Sequence, residues 1–305
     1  MNYTLHQLQV FIEVVNKKSI TKASEALFLT QPAVSIQLKK FQDQFPFPLT
    51  EVIGRKLYVT SFGEEIAHLA KKILNDVSSL DHKTKQYQGK LAGKLSISVV
   101  STGKYVMPYY LSGFVQKHSG IDFSMDVANK LKVVNDLENN LVDFALVSVL
   151  PDHIELNRFP LLKNSLYLVG GSELERNRKG TSSLIFNEQP LLYREPGSAT
   201  RNAMETFIQG KNFPVSKKIE LTSNEALKQA VIAGLGYSIM PMIGIRNAID
   251  MGLIKVIPYK GLPIHTQWNL VWLKQKKLSP VAEAFLDYLQ EEKDVIKDKY
   301  FKWVL

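Results

Sequence analysis

The sequence predicts a small N-terminal all-α head closed by a β-hairpin, then one long helix, then an α/β body. Three patterns carry this prediction: short helices with a hairpin over residues 1–60, one helical pattern over residues 61–88, and strands alternating with helices from about residue 91 onward. The alternation is typical of a largely parallel sheet covered by helices. We therefore expect a globular chain of two or three domains.

Composition excludes several classes of protein. The chain has 305 residues, 45% of them hydrophobic, and no cysteine, which excludes disordered and fibrous chains, thiolate nucleophiles and Cys-ligated metal centres. Its formal net charge of +9 favours a polyanionic partner, either nucleic acid or an anionic membrane surface, although many soluble enzymes have a similar charge. Since no segment is typical of an export signal or a membrane span, we expect a soluble, cytoplasmic protein.

The head is predicted to contain three short helices, the last two joined by a tight turn. Ser19 is suited to cap the second helix and Thr30 the third, with Pro32 in the first turn of the third. The inward positions of the third helix are Val34, Leu38 and Phe41. This arrangement predicts a helix-turn-helix, in which the second helix of the pair enters the DNA major groove.

The outward face of the third helix carries Gln31, Ser35 and Lys39, each four residues after the last. Gln can bond the N6 and N7 edge of adenine, Ser can bond base edges or phosphate, and Lys can reach guanine or backbone oxygens. No acidic residue occurs between Thr30 and Gln42, so this helix has no carboxylate to repel phosphate. The alternative is a solvated helix in an unrelated bundle.

A short hairpin follows the third helix. Residues 52–53 and 57–59 are predicted to form two strands around a turn that Gly54 permits. Arg55 and Lys56 occupy this turn, from which they would lie over a flanking phosphate or the minor groove. The alternative is simply an exposed basic turn.

The segment 61–88 predicts one long helix with a seven-residue apolar repeat. Glu64 and Glu65 lie in its first turn, where negative charge suits the helix dipole. The repeat consists of Ile66, Ala70, Ile73, Val77, Leu80, Thr84 and Tyr87. Such a line favours a two-stranded packing seam and hence a homodimer, whereas the alternative is a helix that lies on its own body. Gly89 and Gly93 then supply a hinge.

Hydroxyl side chains follow the strands predicted in the body. Ser101 and Thr102 end a strand over about 95–100, and Ser148 lies at the end of a strand over about 144–149. Ligands of open α/β sheets bind beyond the carboxyl ends of the strands. We therefore expect these three hydroxyls at a ligand-binding edge.

A second α/β unit is expected from about residue 165. Because the chain passes into this unit and later returns to the first, we expect a cleft between the two units. Gly197 and Ser198, at the start of a helix, offer backbone N–H groups and a hydroxyl to an anion, with Arg194 or Arg201 as charge partners. The alternative is that Ser198 caps its own helix and that each arginine pairs with a surface carboxylate. A last helix is predicted from about Pro280 to about residue 290.

The segment TKASEALFLTQPAVSIQLKKFQ, followed by LTEVIGRKLYVT, closely resembles the N-terminal domain of LysR-type transcriptional regulators. The resemblance extends over the whole chain, because the order of head, long helix and α/β body also matches. It implies a winged helix-turn-helix and a long linker helix, followed by an effector domain of two Rossmann-like subdomains, similar to type 2 periplasmic binding proteins. The implied divisions are a DNA-binding domain 1–60, a dimerisation linker helix 61–88, a hinge 89–94, an effector-binding domain 95–292 and a C-terminal extension 293–305. Within the effector domain, subdomain one covers about 95–164 and 265–292, and subdomain two covers about 165–264.

The resemblance also implies the roles of particular residues. DNA contacts fall on Gln31, Pro32, Ser35, Lys39 and Arg55, of which only Pro32 comes from the family alone. A small effector would be held by Ser101, Thr102, Ser148 and Ser198. The segment REPGSATR is similar to that of regulators that sense carboxylated or phosphorylated metabolites.

The partners implied are double-stranded DNA with a dyad-symmetric site, RNA polymerase at promoters, and further copies of the chain in a homodimer or homotetramer. No membrane, metal or cofactor is expected.

The motifs of other classes of function are absent from the sequence or incomplete in it. The segment from Gly236 to Met240 lacks the second glycine of a nucleophile elbow, and the chain has no Walker A or dinucleotide-binding glycine motif. The six histidines show no metal-ligand spacing. The sequence therefore predicts a regulator rather than an enzyme. The alternatives are a cytoplasmic solute-binding protein and an α/β enzyme with a basic N-terminal appendage.

Overall fold

A computed structural model describes residues 3–54, 56–87, 91–177, 184–215 and 217–304. The chain forms two compact units, Met1–Lys90 and Leu91–Leu305. The first unit contains the head and the long helix, and the second contains the α/β body.

The head consists of three short helices and a two-stranded antiparallel hairpin. Ser19 and Thr30 cap the second and third helices, since their side chains accept hydrogen bonds from the backbone N–H groups of Lys22 and Ala33. Both predicted caps are thereby confirmed. The elements are α1 (Leu5–Lys17), α2 (Ile20–Ala26), α3 (Gln31–Gln42), β1 (Thr50–Ile53) and β2 (Lys56–Val59).

One apolar core holds the head together. Val34, Leu38 and Phe41 point inward from α3, as predicted, and pack against Phe11 of α1. Full burial of a side chain of this size contributes about 1.5–3 kcal/mol, so these contacts fix the orientation of α3 on α1. The residues on the opposite face of α3 are consequently directed outward.

The long helix α4 (Ser61–Tyr87) begins against the head. Thr60 caps it by accepting a hydrogen bond from the N–H of Gly63 at 2.9 Å. Ala67 and Ala70 are buried in the head core, and Ile66 packs beside them. The first part of the predicted dimer seam therefore packs on the chain's own head. The apolar side chains that α4 leaves exposed include Leu69 and Ile73.

The body alternates strands and helices. Its strands are β3 (Ala92–Val100), β4 (Gly120–Ala128), β5 (Phe144–Val147), β6 (Leu156–Gly171), β7 (Leu191–Arg194), β8 (Lys218–Leu221), β9 (Ser238–Pro241), β10 (Ile254–Val256) and β11 (Ile264–Leu273). Its helices are α5 (Met107–Lys117), α6 (Lys130–Glu138), α7 (Ser172–Asn177), α8 (Ile185–Glu188), α9 (Ala199–Gly210), α10 (Asn224–Ile232), α11 (Met242–Asp250) and α12 (Pro280–Tyr300).

The sheet of the body is mixed rather than largely parallel. Its strand order is β10-β6-β11-β5-β3-β4, with β9 also paired to β6, and β7 pairs with β8 separately. The pairs β3–β4, β3–β5 and β7–β8 are parallel, as predicted. The long strands β6 and β11 pair antiparallel with each other and with their other neighbours, which corrects the prediction.

The two long strands run through both halves of the body. The expected subdomain boundaries near residues 164 and 265 fall inside β6 and at the start of β11, so each strand continues from one half to the other. One apolar core lies around β3, β5 and α12, and two others lie around β7 and β9. The halves are therefore separate cores joined by paired strands.

The last helix is longer than predicted. It continues to Tyr300 instead of ending near residue 290, and the segment 293–305, expected as an extension, contributes Ile296 and Phe301 to the core. The Phe301 ring stacks on Tyr110 with centroids 5.9 Å apart. The expected hinge 89–94 is also shorter, because β3 begins at Ala92, while residues 88–90 lie outside the described residues.

Candidate functional site

The first candidate site is the outward face of α3. Gln31, Pro32, Ser35 and Lys39 are all exposed, while Val34 and Leu38 on the opposite face anchor the helix in the core. The face therefore presents amide, hydroxyl and ammonium groups from a helix that packing holds in place. These groups match the donors and acceptors that base edges and phosphates offer in the major groove.

The hairpin is tied to the end of α3. The backbone N–H and the hydroxyl of Thr50 both donate to Oε1 of Gln42, at 2.8 and 2.6 Å. Lys56 is exposed at the start of β2. Arg55, the predicted backbone contact of this turn, lies outside the described residues.

The second candidate site is a pocket in the body. It encloses about 320 Å³ of empty space, including its solvent-facing mouth. The pocket lies where β3, β4 and β5 end and where β7 leads into α9, as expected for the carboxyl edge of parallel strands. Its lining consists of Val100, Ser101, Thr102, Asn129, Lys130, Ser148, Arg194, Glu195, Ser198, Ala199 and Thr200.

The four hydroxyl residues that sequence reasoning selected all line this pocket. Ser101 and Thr102 follow β3, Ser148 follows β5, and Ser198 stands at the start of α9. Thr102 and Ser198 are buried, and the other two are partly exposed. The fold thus brings together side chains that are far apart in sequence. Their role in binding remains a prediction.

The N-terminus of α9 faces the pocket without a side-chain cap. Ser198 occupies the N-cap position, yet its hydroxyl accepts no hydrogen bond from the first turn of the helix. The alternative interpretation, in which Ser198 caps its own helix, is therefore not what the structure shows. By contrast, Asn129 caps α6 on the opposite wall by accepting from the N–H of Lys132 at 2.9 Å. An uncapped helix start offers N–H groups and the positive end of a dipole to an anion.

The arginines near the pocket are already paired. Arg194 donates from Nε and Nη2 to both carboxylate oxygens of Glu195, at 2.7 and 2.8 Å. Arg201 donates to Glu205 and Glu220, at 2.9 and 2.6 Å. The carboxylate pairing foreseen as an alternative is thus what the structure shows.

Lys130 supplies a positive charge that, unlike those of the two arginines, is not paired with a carboxylate in the described part of the chain. It is the first residue of α6 and lines the pocket, and it forms no ion pair with the acidic groups in the described part of the chain. Its ammonium group therefore remains available to a bound anion.

One hydrogen bond joins the two halves of the body beside this pocket. Tyr105, just after β3, donates from its hydroxyl to Oε2 of Glu225 at the start of α10, at 3.3 Å. Burial raises the pKa of the Tyr105 hydroxyl above its usual 10.0, so it stays a donor at neutral pH.

Neither metal chemistry nor a membrane crossing is indicated in the described ranges. No group of three or more His, Asp or Glu side chains there is arranged to hold a metal ion. Within the same residues, none of the helices combines the length and apolar character that crossing a membrane requires.

Comparison with known families decides between the alternatives. Residues 5–64 match the family model of the bacterial regulatory helix-turn-helix protein, lysR family, and residues 88–294 match the LysR substrate binding domain. The chain belongs to the LysR family of transcriptional regulators. Within this family the head is the DNA-binding part, and the body is the part that receives a small molecule.

Curated relatives of this LysR-family regulator are regulators as well. The HTH-type transcriptional activator CmpR of Synechocystis sp. PCC 6803 is 37% identical over 290 residues, which cover 94% of this chain and 95% of CmpR. The chain is therefore a DNA-binding transcriptional regulator modulated by a small-molecule effector, and not an enzyme.

Two solved structures extend the comparison. The regulatory domain of Synechocystis PCC6803 CcmR in complex with 2-PG is 31% identical with a TM-score of 0.61, covering 66% of this chain and 97% of that one. Full-length CbnR complexed with its target DNA is 19% identical with a TM-score of 0.70, covering 95% and 99% of the two chains. The second likeness shows the fold alone.

Sequence reasoning about this LysR-family regulator missed part of the pocket. Lys130 and Thr200 were not selected, and Glu195 was not foreseen as the partner of Arg194. Lys130 follows β4 as Ser101 follows β3, so the rule that located the hydroxyls could also have found this lysine. Whether the Glu195 carboxylate turns toward Arg194 depends on packing that no local pattern records.

Proposed function

We propose that this regulator binds a dyad-symmetric DNA site, with Gln31, Pro32, Ser35 and Lys39 at base edges and Arg55 at the backbone. The observation that carries this proposal is the exposed, carboxylate-free face of α3 opposite a buried stripe. The net charge of +9 supports attraction to a polyanion. Paired recognition helices about 34 Å apart, one turn of DNA, would account for the symmetry of the site.

A homodimer would form through α4, and tetramers through the bodies. Leu69 and Ile73 support the dimer, because α4 leaves these apolar side chains 54% and 40% exposed, whereas Ala67 and Ala70 are buried in the head core. Such a dimer would act in the cytoplasm, with RNA polymerase as its partner at promoters. The proposed domain divisions are those that the sequence predicts, with two changes: the hinge ends before β3 begins at Ala92, and residues 293–301 belong to the body.

The effector would be a small carboxylated or phosphorylated metabolite held by Ser101, Thr102, Ser148 and Ser198. Support comes from the convergence of these hydroxyls with the uncapped start of α9 and with the ammonium group of Lys130. Such a site binds a compact anion through backbone N–H groups and charge-assisted hydrogen bonds. The relative bound to 2-PG supports the same class of ligand.

Effector binding would regulate DNA contacts by changing the closure of the two halves of the body. A ligand that touches Ser101 on one wall and Ser198 on the other favours a closed arrangement. The hinge would transmit that change to α4 and so alter the spacing of the paired heads. The ligand can shift this equilibrium only as far as it binds one arrangement more tightly.

A footprint experiment tests the proposal. The Ser101→Ala, Ser198→Ala double variant should lose 2-PG-dependent changes in the footprint while keeping basal DNA binding. Each lost hydrogen bond to a charged ligand is worth about 1.5–3 kcal/mol, so the affinity for 2-PG should fall at least tenfold.

Ser112→Ala is the matched control, because Ser112 is exposed on α5 and is not part of the pocket lining. It should respond to 2-PG as the wild type does. A double variant that keeps the full response would remove both serines from the effector site.

A further inference from the structure

The turn between α2 and α3 holds a phenylalanine in an unusual state. Phe28 is 95% exposed, which makes it the most exposed large hydrophobic side chain among the described residues. Its backbone φ is +55°, in the left-handed region. A bulky side chain is rare in either state, and Phe28 combines the two.

The local hydrogen bonds explain how this conformation arises. The N–H of Phe28 donates to the carbonyl of Glu25 at 3.2 Å, and the N–H of Leu29 donates to the carbonyl of Ser24 at 2.9 Å. This pair of bonds is the Schellman motif that ends a helix, and it places Phe28 at the position where glycine is usual. The turn itself would therefore be satisfied by glycine, without strain and without an exposed ring.

The turn places the ring next to the DNA-reading surface. Gln31 is three positions after Phe28, so their Cα atoms are at most about 11 Å apart. Bases rise by about 3.4 Å along a strand, so the ring lies within about three base steps of the position that Gln31 would read. No acidic residue occurs from Ala26 to Gln42, which makes this stretch suited to approach phosphates.

We propose that Phe28 is a further specificity residue, whose ring packs against the C5-methyl group of a thymine at the edge of each half-site. Apolar contact with this methyl is how a phenylalanine distinguishes thymine in the major groove. DNA is the occupant that fits, because the exposed ring lies in the turn that leads into α3, within a stretch that has no acidic residue from Ala26 to Gln42. The inference rests on the proposed DNA-binding role of that face.

Replacing single thymines by deoxyuracil tests the contact, since this change removes only the methyl group. Full-length wild type should bind about 15-fold more weakly when one thymine of each half-site is replaced, the factor given by ~0.8 kcal/mol for each of the two buried methyl-sized groups that the dimer loses. Phe28→Gly should bind the thymine duplex about as weakly and should not respond to deoxyuracil at that position. Phe28→Leu should keep part of the response.

Phe28→Gly removes the ring without unfolding the head. Because glycine fits the left-handed backbone, the head of this variant should melt at the same temperature as the wild type or at a higher one. Unchanged affinity of Phe28→Gly for the thymine duplex would overturn the proposal and assign the ring to a protein partner. An equal loss of affinity on deoxyuracil replacement in the wild type and in Phe28→Gly would also overturn it. If Gln31→Ala still alters site selection in either case, the proposed function stands and only the role of Phe28 falls.

Discussion

The face of α3 and the pocket of the body handle negative charge in opposite ways. On α3, the side chains of Gln31 and Lys39 are exposed, and no carboxylate lies among them. In the pocket, the guanidinium of Arg194 is 3% exposed and is neutralised by Glu195. The cations of the first surface are exposed and uncompensated, whereas the guanidinium of the second is buried and paired.

This difference follows from the size of the partner that each site suits. A charge in water needs no partner, so an exposed surface can keep free cations ready for a polyanion. A buried charge without a partner costs several kcal/mol, so an enclosed site must supply its own counter-ion. A small anion in the pocket would then compete with Glu195 or bind beside it, at Ser198 and Lys130.

The largest effect is expected at Gly63, where the backbone of α4 packs directly against the backbone of Leu49. A methyl group built on Gly63 overlaps the carbonyl oxygen of Leu49. Gly63→Ala should therefore destabilise the head by about 3 kcal/mol or more and abolish DNA binding. Calorimetry with 2-PG should show that the body still binds its ligand.

Gly210→Ala is the control, because a methyl group at Gly210 meets no atom within 4 Å. It should change the free energy of unfolding by less than about 1 kcal/mol. Parallel loss of DNA binding and 2-PG binding in Gly63→Ala would show that the two units do not fold independently.

The next effect tests the internal pairing of the pocket. Glu195→Ala leaves the buried charge of Arg194 without its counter-ion and should cost about 3–5 kcal/mol in urea unfolding of the body. Added 2-PG should restore part of this loss, because the anion can replace the missing carboxylate.

Asp250→Ala provides the comparison for an exposed pair. Arg246 and Asp250 are 41% and 52% exposed, so breaking their ion pair should cost at most about 1 kcal/mol. Equal costs for the two variants would contradict the description of Arg194 and Glu195 as a buried ion pair.

The smallest effect concerns the hydrogen bond beside the pocket. Hydrogen bonds from Gln229 and Lys228 hold the pKa of Glu225 below its usual 4.5. Because this pKa is lower in the folded chain than in the unfolded chain, the carboxylate stabilises the fold above pH 4.5, and the contribution is lost as the pH falls. Glu225→Gln should thus lower the melting temperature at pH 7 by more than it does at pH 4. If the difference in melting temperature between Glu225→Gln and the wild type does not change with pH, the Glu225 carboxylate does not stabilise the fold in this way.

Local chemistry explains why parts of this molecule were predictable. The caps Ser19 and Thr30 act within three residues of their partners, and the stripe of α3 repeats within one helix. The strand-end rule placed Ser101 and Ser148 on the same pocket, because the parallel strands β3 and β5 bring their carboxyl ends to one edge. In each case a short-range pattern was sufficient.

Other parts depend on contacts that no short pattern contains. The antiparallel pairing of β6 with β11 joins residues about a hundred positions apart, as between Ser165 and His265. The end of α12 was missed because its last turns are mostly charged, and its buried side chains, Ile296 and Phe301, are too few to produce a clear period. Only packing against α5 shows that these turns are helical and covered.

Binding-site selection with wild type and Gln31→Ala tests most directly whether the open face of α3 reads DNA. The variant should lose preference at one base step, by about 1–3 kcal/mol, while its affinity for unrelated duplexes stays unchanged. Identical selected sites for the two proteins would contradict the assignment of this face to base recognition.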